Sequence, residues 1–168
     1  MNIVESIIEE FNMKQLPGEG GYYVETYRCK EIIDKCCLSK VYKGSRNIST
    51  AILYLITPEH FSHLHRLKSD EIFHFYSGDP VYMLNLFEDG TASEVILGQD
   101  IWSGQKMQHV VPRDCWQGAC LKPGGSYALL GTTVAPGYDS SDYQNSQGFK
   151  KKLIEKYPRY RDGIEKLI

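Results

Sequence analysis

The apolar positions of this chain change their period twice. Behind Asn2, the residues Ile3, Val4, Ile7, Ile8 and Phe11 recur at helical spacing, and Glu5 stands three places after Asn2 to complete a capping box, which predicts a helix over 2–12. Leu16-Pro17-Gly18-Glu19-Gly20-Gly21 breaks that helix. From Tyr22 onward the pattern is that of strands. Tyr22 to Arg28 is aromatic and β-branched, Ile48 to Ile56 is an apolar run suited to a sandwich interior, and further strands are expected at 71–76, 81–87, 93–97, 107–111, 115–121 and 127–134. Turn signals separate them, among them Ser77-Gly78-Asp79-Pro80, Glu88-Asp89-Gly90-Thr91 and Lys122-Pro123-Gly124-Gly125. Residues 29–47 alternate poorly and read as a ragged hairpin or loop. After Ser146, the spacing of Phe149, Leu153, Ile154 and Tyr157 returns to a helix ended before Pro158, and 160–168 adds a further turn or two. Short strands with no helix between them predict an all-β, antiparallel sandwich or barrel; an alternating α/β chain is excluded.

Length and charge narrow the class. The 168 residues fit one domain, 1–168, with a core over about 16–143, the helix 2–12 before it and a helical extension 146–168 after it. Lys+Arg of 19 against Asp+Glu of 21 leave a formal charge of −2, so no basic field recruits nucleic acid or anionic lipid. Lys150, Lys151 and Lys152 read as a solvated helix face. No apolar stretch approaches the roughly 18 to 20 residues that cross a bilayer, and Met1-Asn2-Ile3-Val4-Glu5 is not a basic-then-apolar leader. A cytoplasmic protein without membrane or nucleic-acid partner is expected. Five cysteines, in no metal-finger or C-x-x-C spacing, read as reduced thiols.

Chemistry concentrates between His60 and His74, which hold four of the five histidines together with Arg66, Asp70 and Glu71. In an extended strand, alternate side chains share a face, so His63 and His65 are expected to point the same way. Five residues, Arg66 to Asp70, then let the chain turn and return Glu71 from a neighbouring strand. Two imidazoles and a carboxylate so placed suit a divalent metal site or an acid/base cluster, and the spacing proposes both. By strand parity His74 falls on the face opposite Glu71. Trp116 and Gln117 point to opposite faces, so only one of them lines an interior unless a bulge intervenes. The glycines before Tyr22 and Tyr23 suit a loop over a pocket mouth. Ser62, Tyr23, Glu25, Tyr27 and Gln108 follow as orienting groups for a ligand, and Arg66 as a clamp for an anionic group or as a partner of Asp70.

Turn-bounded strands with a histidine pair and a glutamate at a strand junction resemble the cupin superfamily. The likeness extends to its single-domain cupin_5 family. It is carried by Glu19-Gly20-Gly21-Tyr22-Tyr23-Val24-Glu25-Thr26-Tyr27-Arg28, by Phe61-Ser62 with His65-Arg66, and by Asp70-Glu71-Ile72-Phe73-His74-Phe75-Tyr76-Ser77-Gly78. Leu97-Gly98, Gly104-Gln105, Gln108-His109-Val110-Val111-Pro112 with Trp116-Gln117, and Val134-Ala135-Pro136-Gly137-Tyr138 continue it in order. The resemblance implies an antiparallel double-stranded β-helix, the cupin jelly-roll barrel, with a ligand cavity inside and commonly a homodimeric assembly. It also bears on metal. Metal-binding cupins carry His-x-His, a glutamate three or four residues later, and a third histidine after a Pro-x-Gly turn. Here the gap before Glu71 is longer, Asp114 stands at the glycine, and the third-histidine register falls on Gln117.

Three functions follow as expectations. One is an enzyme that isomerises or epimerises a polar, sugar-derived small molecule, with His65 as general base and Glu71 or a tyrosine as its partner. Another is metal-assisted chemistry, with zinc, iron, manganese or nickel held by His63, His65 and Glu71 and completed by water or Gln117. The third is a module that binds a metabolite without turning it over.

Overall fold

The structure is a computed structural model that describes residues 2–168. Helix α1 (Ile3–Glu10) opens on the capping box: the Asn2 side chain accepts the Val4 N–H, and the Glu5 carboxylate accepts the Asn2 N–H, each at 3.2 Å. The strands follow as β1 (Lys14–Gln15), β2 (Tyr22–Arg28), β3 (Ile32–Ile33), β4 (Arg46–Asn47), β5 (Thr50–Ile56), β6 (Ser62–Arg66), β7 (Asp70–Gly78), β8 (Val81–Leu86), β9 (Ala92–Leu97), β10 (Gln108–Val111), β11 (Trp116–Leu121), β12 (Ala128–Ala135) and β13 (Gln144–Asn145). Helices α2 (Lys150–Lys156) and α3 (Arg161–Lys166) close the chain. Among the described residues, no helix is long and apolar enough to cross a membrane.

Two antiparallel sheets form the body, one ordered β1-β2-β5-β12-β7-β10 and the other β13-β6-β11-β8-β9. From β5 to β8, and again from β10 to β13, each successive strand lies in the opposite sheet. That back-and-forth winding makes the antiparallel jelly roll. The ragged segment 29–47 forms only the small β3–β4 pair and one turn of 3₁₀ helix.

Alternation along the strands fills the space between the sheets. Phe73 and Phe75 of β7, Met83 of β8, Leu130 of β12 and Tyr54 of β5 are all buried there. A second apolar layer lies on the far side of the five-stranded sheet. Leu84, Leu86 and Trp116 meet Leu153, Tyr157, Ile164 and Leu167 of the C-terminal helices, which is why those helices are amphipathic.

Strand β6 departs from regular pairing. Ser62 stands opposite Ala119 and His65 opposite Gln117, so three steps on β6 match two on β11, the signature of a bulge. Leu64, inside the bulge, pairs with the tail of the chain. Its N–H donates to the Leu167 carbonyl at 2.7 Å, and its carbonyl accepts the Ser146 N–H at 3.1 Å.

Candidate functional site

The bulge decides which side chains enter the interior. Because of the extra residue, Ser62 and His65 turn to the same inner face as Ala119 and Gln117, and His63 turns away. The expectation that His63 and His65 share a face therefore fails. His63 packs on the Phe61 ring, with centroids 4.6 Å apart, and its Nδ1 lies 2.8 Å from the Glu19 carbonyl. Its role is to clamp the loop ahead of β2.

That loop, Leu16 to Gly21, brings in a group that the strand pattern does not single out, the Glu19 side chain. Gly20 and Gly21 make its path achievable, with φ of +96° and +71°. A side chain at Gly20 would collide with the Phe61 carbonyl, and one at Gly21 would meet the Tyr54 ring at 2.7 Å. Glu19 is the one carboxylate inside the glycine-rich run, and that was the signal available in the sequence.

Five polar side chains now meet between the sheets. The Gln117 amide donates to Glu71 Oε2 at 2.5 Å and lies 3.4 Å from His65 Nε2. The Ser62 hydroxyl donates to Glu19 Oε1 at 3.2 Å, and Glu19 Oε2 stands 3.6 Å from His65 Nε2. His65 Nδ1–H donates to the His63 carbonyl at 2.8 Å, which fixes the tautomer and leaves Nε2 as an acceptor facing inward. Tyr143 stacks on the imidazole, with centroids 5.4 Å apart.

Burial sets the protonation of this cluster. His65, Glu71 and Gln117 are 1, 6 and 1 % exposed. Burial raises the Glu19 carboxyl to about 7; it raises Glu71 to about 7 as well, with the charge of Glu19 adding to it. The same burial lowers His65, so the imidazole is neutral near pH 7. Two carboxyls with matched affinities thus lie beside one neutral imidazole.

A cavity of about 380 Å³ opens onto this cluster. Glu19, Glu71, Thr132 and Tyr138 form its polar wall, Tyr23 and Glu25 its β2 side, and Ile52, Leu67 and Val134 an apolar floor. His65 lies behind this wall, so the groups a ligand touches first are the carboxyls. Arg28 at the rim was not expected here; its Nη2 pairs with Glu25 Oε2 at 2.7 Å.

Four expected ligand-facing residues lie elsewhere. Arg66 faces outward, its Nε donating to Gln144 at 2.7 Å and its guanidinium lying 4.8 Å over the Trp116 ring. Trp116 belongs to the outer layer beneath the C-terminal helices, since Gln117 takes the inward position. Gln108 sits opposite His74 on the outer face of the six-stranded sheet and bonds its Nδ1 at 3.2 Å. Tyr27 is 52 % exposed, displaced by a register shift between Glu25 and Tyr27.

The metal triad of His63, His65 and Glu71 does not assemble. His63 has left the interior, and the Gln117 NH₂ group stands between His65 Nε2 and Glu71 Oε2, placing hydrogen-bond donors where a cation would need acceptors. Among the described residues, no group of three or more His, Cys, Asp or Glu side chains converges as a metal site.

A double-sheeted antiparallel barrel enclosing a polar cavity defines the cupin class of proteins. Within it, this chain belongs to the Cupin_5 family of the cupin superfamily (DUF985), whose model matches residues 5–146. It is 29 % identical over 142 residues to the uncharacterized protein YML079W of Saccharomyces cerevisiae, covering 77 % of this chain and 69 % of that one. Among solved structures, a hypothetical protein from Leishmania major superposes with a TM-score of 0.86 at 29 % identity, covering 99 % of this chain and 98 % of that one. Protein SO0799 of Shewanella oneidensis gives 0.84 at 26 % identity, covering 99 and 98 %. A dTDP sugar isomerase from Desulfovibrio desulfuricans, at 16 % identity and 0.51 over 79 % of each chain, shares the fold alone.

Proposed function

We propose that this chain is a cupin-type enzyme that isomerises a small polar carbonyl compound by proton transfer between Glu19 and Glu71. The supporting observation is the pair of buried carboxyls, each raised to about 7, on one wall of a ligand-sized cavity. At neutral pH such a pair holds about one proton, so one member is a base and the other an acid. The ionised carboxylate takes the proton from the carbon next to the carbonyl, whose electron pair moves into an enolate. The protonated partner, on the same wall, returns a proton to the neighbouring carbon on that same face while the hydroxyl proton of the first carbon passes to the former carbonyl oxygen, giving the isomer. The two carboxyls end with exchanged protonation and return to the starting state by exchange with solvent through the open cavity. His65, with Nε2 3.6 Å from Glu19, is a positioning group, and Gln117 holds Glu71 in place. The kinship of fold with a dTDP sugar isomerase agrees with this reading without supplying a substrate.

Solvent exchange tests it. Incubating the protein in D₂O with a panel of ketoses, aldoses and amino sugars should place deuterium at the carbon next to a carbonyl in at least one compound. Glu71→Gln should lower that exchange by about 10²-fold or more. A ligand that binds in the cavity yet exchanges no proton would make the chain a metabolite-binding module instead.

A further inference from the structure

If the hollow between the sheets is a small-molecule site, as proposed above, its wall dictates the charge of the occupant. The charged side chains that line it are Glu19, Glu25, Glu71 and Arg28. Arg28 would be the natural captor of a carboxylate or phosphate, but its hydrogens are already committed. Nε and Nη2 donate to the two Glu25 oxygens at 3.0 and 2.7 Å, and Nη1 donates to Asn47 Oδ1 at 3.0 Å and the Tyr138 carbonyl at 3.2 Å. Bidentate capture of an anion needs two free parallel N–H groups, and this guanidinium keeps only one hydrogen. The other arginines nearby are also held. Arg66 faces outward, and Arg46 is buried in a bidentate pair with Asp142, at 2.7 Å for each bond.

Deeper in, Glu19 and Glu71 present carboxyls to the cavity, and the donors behind them are already spent on those two side chains, Ser62 on Glu19 and Gln117 on Glu71. An anion entering here meets like charge without a countercharge. A cation with several N–H groups meets matching acceptors and supplies the charge that the wall lacks.

We propose that the cavity takes a cationic ligand, a small metabolite that presents a protonated primary amine or amidine to Glu19 and Glu71, and that it excludes carboxylates and phosphates. Occupancy draws a proton off the carboxyl pair. The titratable groups facing that pair are His65, Tyr54, Tyr138 and Tyr143. His65 is lowered and the three tyrosines are raised by burial, so around neutral pH the carboxyls are the groups that change charge. With one carboxyl ionising near 7, affinity for a permanently protonated amine rises about tenfold from pH 6 to pH 8.

Three probes of equal size and different charge test this: benzylamine, benzyl alcohol and benzoate, titrated into the ¹⁵N-labelled protein at pH 6, 7 and 8. Benzylamine should shift the amides of Ala51, Ile52 and Thr132 and bind at least tenfold more tightly than benzoate. Its Kd should fall about tenfold from pH 6 to pH 8, and benzyl alcohol should bind weakly and independently of pH. The double variant Glu19→Gln/Glu71→Gln, checked for a native-like spectrum, should lose both the amine preference and the pH dependence. Benzoate binding at these residues as tightly as benzylamine, or an amine preference that survives in the double variant, overturns the cationic ligand alone. Silence of all three probes at the cavity overturns it together with the small-molecule reading. Absence of deuterium exchange bears only on catalysis.

Discussion

Glu71 is the side chain whose setting has the most consequences. It is 6 % exposed, beside Glu19 and held by the Gln117 amide at 2.5 Å. Its carboxyl titrates near 7 when folded and near 4.5 when unfolded, so folding takes up a proton between those values. Stability therefore declines as pH rises from about 4.5 to about 7, the reverse of an ion-paired carboxylate. Glu71→Gln keeps the shape and removes this dependence. Its stability relative to the parent should be nearly unchanged at pH 5 and higher by roughly 1–3 kcal/mol at pH 8, as urea denaturation at the two pH values would show. A variant that is less stable than the parent at pH 8 would mean that Glu71 is ionised and well solvated. At this scale the sequence was readable where chemistry and parity agreed: Glu71, Phe73 and Phe75 face inward and His74 outward, as alternation requires. For Glu19 it offered only a carboxylate in a glycine-rich run, because the side chain enters by way of two glycines with positive φ and lies far in sequence from the histidine it joins.

Among elements, β6 shows why motif spacing alone misplaces a site. His63-x-His65 looks like a pair on one face, yet one inserted residue against β11 rotates His63 out and brings Ser62 in. No local signal marks that insertion, and the Leu64 backbone it leaves unpaired with β11 is taken up by Ser146 and Leu167, far along the chain. The parity choice between Trp116 and Gln117 resolves similarly, since the C-terminal helices claim the tryptophan. Trp116→Phe should accordingly cost roughly 1–2 kcal/mol in chemical denaturation, from lost contact with Phe149 and Arg66, and leave probe binding in the cavity unchanged. A changed Kd with unaltered stability would place the indole in the site after all.

On the scale of the whole molecule, the fold was legible because turn chemistry and strand period agreed along most of the chain, and the helices at both ends declared themselves by their apolar stripes. The two-layer organisation also sorts the thiols. Cys36 and Cys37 are exposed on the 3₁₀ turn of the irregular segment, whereas Cys115 and Cys120 are buried on β11 or just before it, with the Cys115 thiol pushed up to about 12. Brief iodoacetamide treatment of the native protein should alkylate Cys36 and Cys37 and spare Cys115 and Cys120, as peptide mapping by mass spectrometry would show. Labelling of the buried pair before the exposed one would contradict the layered core.

The hold of Leu167 and Ser146 on Leu64 gives the α3 segment a grip on the strand that carries His65, one residue away. A helix-breaking change in α3 would slacken that grip, so the packing beneath α3 and the setting of the imidazole are mechanically joined through main chain.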